Sequence, residues 1–447
     1  MSGRIYLRRV TVRTHHYTAA CPWFCRPMMR RILAITTLIL ISIIFAAASA
    51  EFIARLFEPE HTKQGDFYNI PHETVGWIPK PNSEAVVETS EFVAHYAVNE
   101  NAMNDDPIDR YKHSRRRIIA IGDSHTFALG VDTSQAWPNV LENLLFAEDS
   151  AVGTVFNLAV IGYNLGQYYD WLKLNEDRLS PDTIIIGFSM ATDLYDLIPP
   201  RKGGFVYGRD TDRYYYDLAD DGTLYHTRSN VAGTRKQTAD IRSYLNHLAL
   251  YRLAKRSKLA YWLSVRVSPQ GRSLWPGLDT ALKKTLVGDD AYRWELAERI
   301  LAALVHDVGQ RVDHIILVVI PYLAQVYDEV WETSFGGFPD RYDRWIGNDR
   351  LREICKRLGI EFVDTTPEFI RRTRGNGEWL HYRYDGHPNA LGHEVIASAI
   401  ARHLASTASP LTMPEKSLSA PNEREGQSSN GRLASIAKLG PRTSGSR

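Results

Sequence analysis

The chain has 447 residues, with 53 Lys+Arg against 52 Asp+Glu, 44% hydrophobic residues and three cysteines. At roughly 150 residues per domain, this length allows one large domain or a few small ones and is ample to bury a core. The apolar content excludes a wholly disordered chain, and the near-neutral charge argues against a nucleic-acid partner held by phosphate contacts. Three cysteines without a C-x-x-C pair exclude a disulfide framework and a zinc or iron–sulfur site, so no metal or other cofactor is expected.

The charge is unevenly spread. Residues 1–31 carry seven arginines and no acid, whereas residues 409–447 carry six Lys+Arg against three Glu, which leaves the part between with a net −9. Ile32 to Ala50 are 19 consecutive uncharged residues, about the length that crosses a bilayer as a helix. With the arginines before it and Glu51, Glu58 and Glu60 after it, the positive-inside rule predicts a transmembrane anchor over 32–50. Residues 1–31 would then be a basic cytoplasmic tail, and the body would be periplasmic or extracellular. Ala48-Ser49-Ala50 also fits a signal-peptidase site, and cleavage there would release a secreted body. Met28 and Met29, just before Arg30-Arg31, offer an alternative start.

Residues 60–112 form a lead-in with weak strand signals. The next part, 113–407, alternates short β-branched runs with helical patterns. The runs are Ile118–Ile121, Thr154–Val160, Thr183–Phe188, His314–Ile320 and Glu361–Asp364. Helical periodicity marks Ala136–Phe146, Leu165–Glu176, Ala291–Val308, Asn348–Leu358 and Ala390–Leu404. Continuous apolar runs suit strands covered on both faces, so the pattern predicts an α/β class, a three-layer α/β/α domain with a five-stranded parallel sheet. Residues 199–285 interrupt it. An aromatic part (Phe205, Tyr207, Tyr214, Tyr215, Tyr216, Tyr225) precedes a helical part, Ile241–Leu263, and a segment this long should be a subdomain or lid. Its tyrosines could form a small core or stack on sugar rings. Residues 408–447 read as a disordered tail rich in Ser, Pro, Gly and charge.

Two segments could carry chemistry. Gly122-Asp123-Ser124 puts a serine on a tight turn after the first strand, at the carboxyl edge where open α/β sheets place their sites. Asp385-Gly386-His387 lies on a loop before the last helix. A serine nucleophile needs a base to take its proton and a carboxylate to hold that base's tautomer, and His387 with Asp385 can supply both. His125 reads as packing pointed away from Ser124, and His393 as a surface histidine.

With these motifs the chain resembles the SGNH, or GDSL-type, hydrolases across about residues 115–405. GDSHT matches the first family block, NLAVIGYNLGQ the second and DGHPNALGH the last. The resemblance implies a flavodoxin-like fold, with Ser124 as nucleophile, His387 as base and Asp385 as its partner. It also implies an oxyanion hole from the backbone N–H groups of Ser124 and Gly162. In the third block, IIIGFSMATDLYD, Thr192 stands where the family carries an asparagine that donates to the oxyanion. Asn164 and Asp123 are accessory candidates, and Ala128 replaces a common glycine.

The resemblance implies a serine esterase or acyltransferase acting on an acyl ester, an O-acetylated envelope or extracellular polysaccharide in particular. Thr192 motivates an alternative, a catalytically degenerate glycan-binding or polysaccharide-assembly protein. A lipase acting on membrane lipid is a third reading.

Overall fold

Short Ile- and Val-rich runs with no polar face are stable as strands only when helices cover both sides of the sheet. The computed structural model describes residues 22–57, 69–89, 91–108, 114–146, 153–198, 213–229, 279–383 and 385–407. The chain begins with helix α1 (Pro22–Phe57). Two antiparallel hairpins follow, β1 (Asn69–His72) with β2 (Gly76–Pro79) and β3 (Ser83–Glu88) with β4 (Val93–Val98). Then come β5 (Arg116–Gly122), α2 (Ser124–Phe127), α3 (Trp137–Phe146), β6 (Gly153–Asn157), α4 (Leu165–Leu179) and β7 (Thr183–Ser189). A hairpin of β8 (Arg213–Leu218) and β9 (Leu224–Ser229) precedes α5 (Asp289–Val308) and β10 (His314–Ile320). The last elements are α6 (Ile346–Leu358), β11 (Glu361–Asp364), α7 (Thr366–Asn376) and α8 (Ala390–Thr407).

Five strands form one parallel sheet in the order β6-β5-β7-β10-β11. Counted along the sheet-forming strands this is 2-1-3-4-5, the flavodoxin-like doubly wound order, whose switch point lies between β5 and β7. Ile118–Ile121, Ile184–Ile186 and Ile316–Val319 are buried at the centre. Helix α5 turns Trp294, Ala297, Ile300, Leu301, Leu304 and Val308 inward at helical spacing, and it packs between α4 and α6. Helix α3 packs on β6 and meets α8, where the Trp137 backbone N–H donates to His393 Nδ1 at 3.3 Å. These helices and the sheet make the three-layer α/β/α fold.

The expected strand Thr154–Val160 ends at Asn157. Leu158 and Val160 still donate to the Ala120 and Gly122 carbonyls, at 2.8 and 3.1 Å, so the chain tracks the end of β5 into the site. Helix α7 has no counterpart in the sequence reading, because its charged stretch carries few apolar residues besides Phe369 and Ile370.

The weak strand signals of the lead-in become two hairpins. Alternation in β4 turns Ala94, Tyr96 and Val98 inward, where Tyr96 and Phe92 join Phe127 and Ala159 in a small core. The described part of the long insertion, β8–β9, packs on α4 and α5: Tyr216 donates to Asp170 at 2.6 Å and Leu218 N–H to Tyr292 at 3.1 Å. Tyr215 is buried and Tyr216 packs against the core, whereas Tyr225 is exposed. Phe205, Tyr207, the expected helix 241–263, residues 58–68 and the tails 1–21 and 408–447 lie outside the described residues.

Helix α1 extends beyond the expected 32–50 at both ends. Within its Arg30–Leu56 stretch an 18-residue window reaches a mean hydropathy of 2.5, and the stretch is long and apolar enough to cross a membrane or serve as a signal sequence. The chain clusters as one unit through Ala405, and of the unit beyond it only Ser406 and Thr407 are described.

Candidate active site

The serine turn is built by three residues acting on one another. β5 ends at Gly122, where a Cβ would come within 2.2 Å of Thr126 Oγ1, so only glycine lets the turn close this tightly. Asp123 then caps the single turn of α2, its Oδ1 accepting the His125 backbone N–H at 2.8 Å. Ser124 follows as the first residue of that turn, at the sheet's switch point.

The second half comes from the loop between α7 and α8. Gly386, at φ +91°, lets the chain reverse there, and its N–H donates to the Tyr382 carbonyl at 3.0 Å. The Asp385 backbone N–H donates to the Glu91 carboxylate at 2.7 Å, which ties this loop to the lead-in. Tyr382 adds a second tie, donating to the Gly130 carbonyl at 2.7 Å, while the Gly130 N–H donates to Tyr96 Oη at 2.7 Å.

Ser124 Oγ lies 2.8 Å from His387 Nε2, and His387 Nδ1 lies 2.5 Å from Asp385 Oδ1. With the carboxylate on Nδ1, the neutral ring carries its proton there and presents the Nε2 lone pair to the serine. Burial alone would lower the His387 pKa. The Asp385 charge and hydrogen bond, with the Asp123 charge, outweigh burial and leave it raised above the ordinary histidine value. Burial would likewise raise Asp385, but the His387 charge and hydrogen bonds leave it lowered, hence a carboxylate at neutral pH.

Gly162 stands in the loop after β6 at φ +79°, and this loop is fixed by the lead-in. Trp77 Nε1 donates to the Ile161 carbonyl at 3.2 Å, and Tyr163 Oη donates to the Trp77 carbonyl at 2.5 Å.

Four expectations need correction. Thr192 carries one hydroxyl proton, and Asp123 Oδ2 takes it at 2.6 Å, with Ser189 Oγ 2.8 Å away, so that proton is not presented to an oxyanion. Asn164 caps α4 instead of serving the hole: its Oδ1 accepts the Gln167 N–H at 3.0 Å and its Nδ2 donates to the Tyr214 carbonyl at 3.2 Å. His393 is fully buried, because it faces α3 across the helix layer. His125 does not point away: its ring lies 4.4 Å from the His387 ring, and its Nδ1 is 3.1 Å from Asp123 Oδ1.

Asp123 is 2% exposed and accepts from the His125 backbone, the His125 ring and Thr192. Burial would raise its pKa, and its electrostatic interaction with His125 together with these bonds brings it below the ordinary value. Its neighbour Asp193 is pushed well above that value by burial and by the Asp123 charge, and it binds Tyr168 Oη at 2.6 Å and the Ser189 N–H at 2.9 Å. Asp193 thus fixes the turn after β7. Sequence reasoning missed the roles of His125 and Glu91. The adjacency of His125 to Ser124 was the available signal for the first, and nothing local marks the second.

Among the described residues no group of three His, Cys, Asp or Glu side chains is arranged to hold a metal ion. A cavity of about 570 Å³ lies between β3–β4 and the Asp132–Ser134 turn, lined by Glu84, His95, Tyr96, Glu142 and others, and it does not include Ser124.

No protein-family model and no curated protein matches the chain. Among solved structures it is similar to LAE5, an alpha/beta hydrolase enzyme from the metagenome of Lake Arreo, Spain, at 15% identity and a TM-score of 0.37, covering 67% of this chain and 100% of that one. It is also similar to Axe2, an acetylxylan esterase from Geobacillus stearothermophilus, at 14% identity and a TM-score of 0.32, covering 66% and 96%. A lipolytic protein of the G-D-S-L family from Veillonella parvula is similar at 9% identity and a TM-score of 0.32, covering 65% and 98%.

Proposed function

We propose that the chain is a membrane-anchored serine esterase or acyltransferase of the SGNH/GDSL type, with Ser124 as nucleophile, His387 as base and Asp385 as its orienting carboxylate. The observation that carries this is the unbroken chain of contacts from Asp385 through His387 to Ser124 Oγ. As the serine oxygen attacks an acyl carbonyl, its proton passes to His387 Nε2. The backbone N–H groups of Ser124 and Gly162 hold the oxyanion. Collapse of the tetrahedral adduct breaks the ester C–O bond, and His387 returns the proton to the leaving alcohol. Water or a sugar hydroxyl then attacks the acyl-enzyme, giving its proton to His387, which restores Ser124. With the Thr192 proton spent on Asp123, this hole has two donors where the family has three, which slows it by about 10²–10³.

An apolar N-terminal helix flanked by arginines supports an exported body, and the family resemblance supports short acyl groups, acetate above all. The substrate class is then an O-acetylated polysaccharide of the envelope or outside it. The full chain in detergent, given p-nitrophenyl acetate and a fluorophosphonate probe, should turn over and label, and S124A should do neither. Long-chain esters hydrolysed in preference to acetate would favour a lipid substrate. The spent Thr192 proton favours one other reading, a glycan-binding protein, and glycan binding without Ser124-dependent turnover would establish it.

A further inference from the structure

Two imidazole–carboxylate pairs stand side by side at the carboxyl end of β5. One is Asp385–His387. In the other, Asp123 holds the His125 ring through Nδ1, at 3.1 Å to Oδ1 and 3.2 Å to Oδ2. The two rings are 4.4 Å apart between centroids and tilted by 32°, so one ring packs against the other at an angle. Asp123 itself is fixed by the Thr192 hydroxyl and by the cap of α2.

A ring bonded at both nitrogens, as His387 is, can still roll about its nitrogen–nitrogen axis, and only a contact on its face prevents this. We propose that Asp123 and His125 form a positioning pair for the acyl-transfer base, in which Asp123 fixes the His125 ring and that ring, packed at a tilt against His387, limits its roll and stabilises its cation during the reaction. The inference rests on the Ser124–His387 reading and deepens it.

The physical basis is electrostatic. With its Nδ1 held on the buried Asp123 carboxylate, the His125 ring is made electron-rich by the negative charge beside it. A cation over the face of such a ring is attracted, more strongly when water is excluded, and His125 is 6% exposed. The pair thereby brings the Asp123 negative charge close to His387.

Other titratable groups face His387 from the surrounding elements. Asp385 is its partner on the same loop. His381, from that loop, and His393, from α8, are both lowered to about 3 by burial, so they stay neutral and do not oppose the cation at neutral pH. Thr192 has a definite part in this arrangement, because its proton keeps the Asp123 carboxylate ionised and oriented.

The sign is set by which form of His387 the pair favours. A π face and a carboxylate both favour the cation, so removing either should lower the pH at which His387 gains its proton. The test uses the full chain in detergent, with p-nitrophenyl acetate kinetics across pH. H125L, close in volume but without a π face, should lower kcat about tenfold with KM within about twofold. H125F, which keeps the face and loses the Asp123 bond, should recover to within about threefold of the starting enzyme. The acid limb of kcat/KM should move down by about half to one pH unit in H125L and D123N.

The pair is excluded if H125L keeps kcat and its acid limb, if the loss falls on KM, or if the limb moves up, which would make His125 a cation. Histidine ring NMR, with His387 assigned through H387Q, reads the same shift without turnover and also reports misfolding. A lowered His387 titration in H125L without Ser124-dependent turnover would retain the pair and reject the esterase. Ser124-dependent turnover with an unmoved titration would retain the esterase and reject the pair.

Discussion

The sheet carries a histidine–carboxylate cluster at each end. At its carboxyl end His387 stands between Asp385 and Ser124. At its amino end Glu361, which opens β11, bridges His314 at the start of β10 and His403 on α8, with both contacts at 2.5 Å. The hydrogen bonds are equally short, but their direction differs. The first runs from a carboxylate through one ring to an alcohol, so a proton can leave the alcohol and the resulting imidazolium is held. The second spends both carboxylate oxygens on two rings and joins β10, β11 and α8. Short contacts alone therefore do not mark chemistry. What separates the ends is a serine on a capped turn at the switch point.

The largest expected effect breaks one end and spares the other. Asp385→Asn cannot hold the Nδ1–H tautomer, so kcat/KM for p-nitrophenyl acetate should fall about 10³–10⁴-fold, while Glu361→Gln should leave it unchanged. A fall with E361Q would merge the two clusters. The same assay reads the raised His387. The base works only when neutral, so the acid limb of kcat/KM should lie above pH 6.5, the ordinary histidine value, and activity should drop as pH falls through it. An acid limb below that value contradicts the net effect of Asp385 and Asp123.

The two ends also differ in how far they can be read from the sequence. Ser124, Asp385 and His387 sit in short local patterns, Gly-Asp-Ser after a strand and Asp-x-His before a helix. Both patterns follow from turn chemistry, and the five strands around them show as short apolar runs. The two sheet segments His314–Ile320 and Glu361–Asp364 are continuous apolar runs, and the structure has the same limits. Contacts between distant segments leave no such trace. His125 pairs with a residue two positions earlier yet packs its ring against one 262 positions later, and no periodicity records the second contact. Thr192 fills a motif position, but the fold aims its hydroxyl at Asp123. Glu91 reaches Asp385 across 294 positions, from the turn of the β3–β4 hairpin, and no local pattern records that contact.

That long-range tie gives an intermediate effect. Glu91→Ala removes the acceptor of the Asp385 N–H and loosens the loop that aims His387. A tenfold loss of kcat/KM, about 1.4 kcal/mol, is expected, the size of one hydrogen bond to a charged group. Glu91→Gln keeps a carbonyl acceptor and should recover most of it. Equal losses in the two variants would show that the charge of Glu91, and not its hydrogen bond, matters to the triad.

The smallest effect belongs to the amino end and is one of stability. Burial would raise Glu361, but hydrogen bonds from His314 and His403, with their charges, leave it lowered. A folded-state pKa below the unfolded one adds stability that is present above the ordinary carboxyl range and lost as pH falls through the folded value. The three side chains are 23 to 30% exposed, so solvent screening reduces the contribution to about 1 kcal/mol. Glu361→Gln should therefore lower the melting temperature by about 2 °C at pH 7. At acid pH, as it falls through the folded value, the carboxylate is protonated in the starting protein as well, and the gap should narrow. A gap of the same size at both pH values would mean that packing of the side chain, and not its charge, joins β10, β11 and α8. The amino-end cluster would then be a spacer, and the contrast with the carboxyl end would rest on the serine alone.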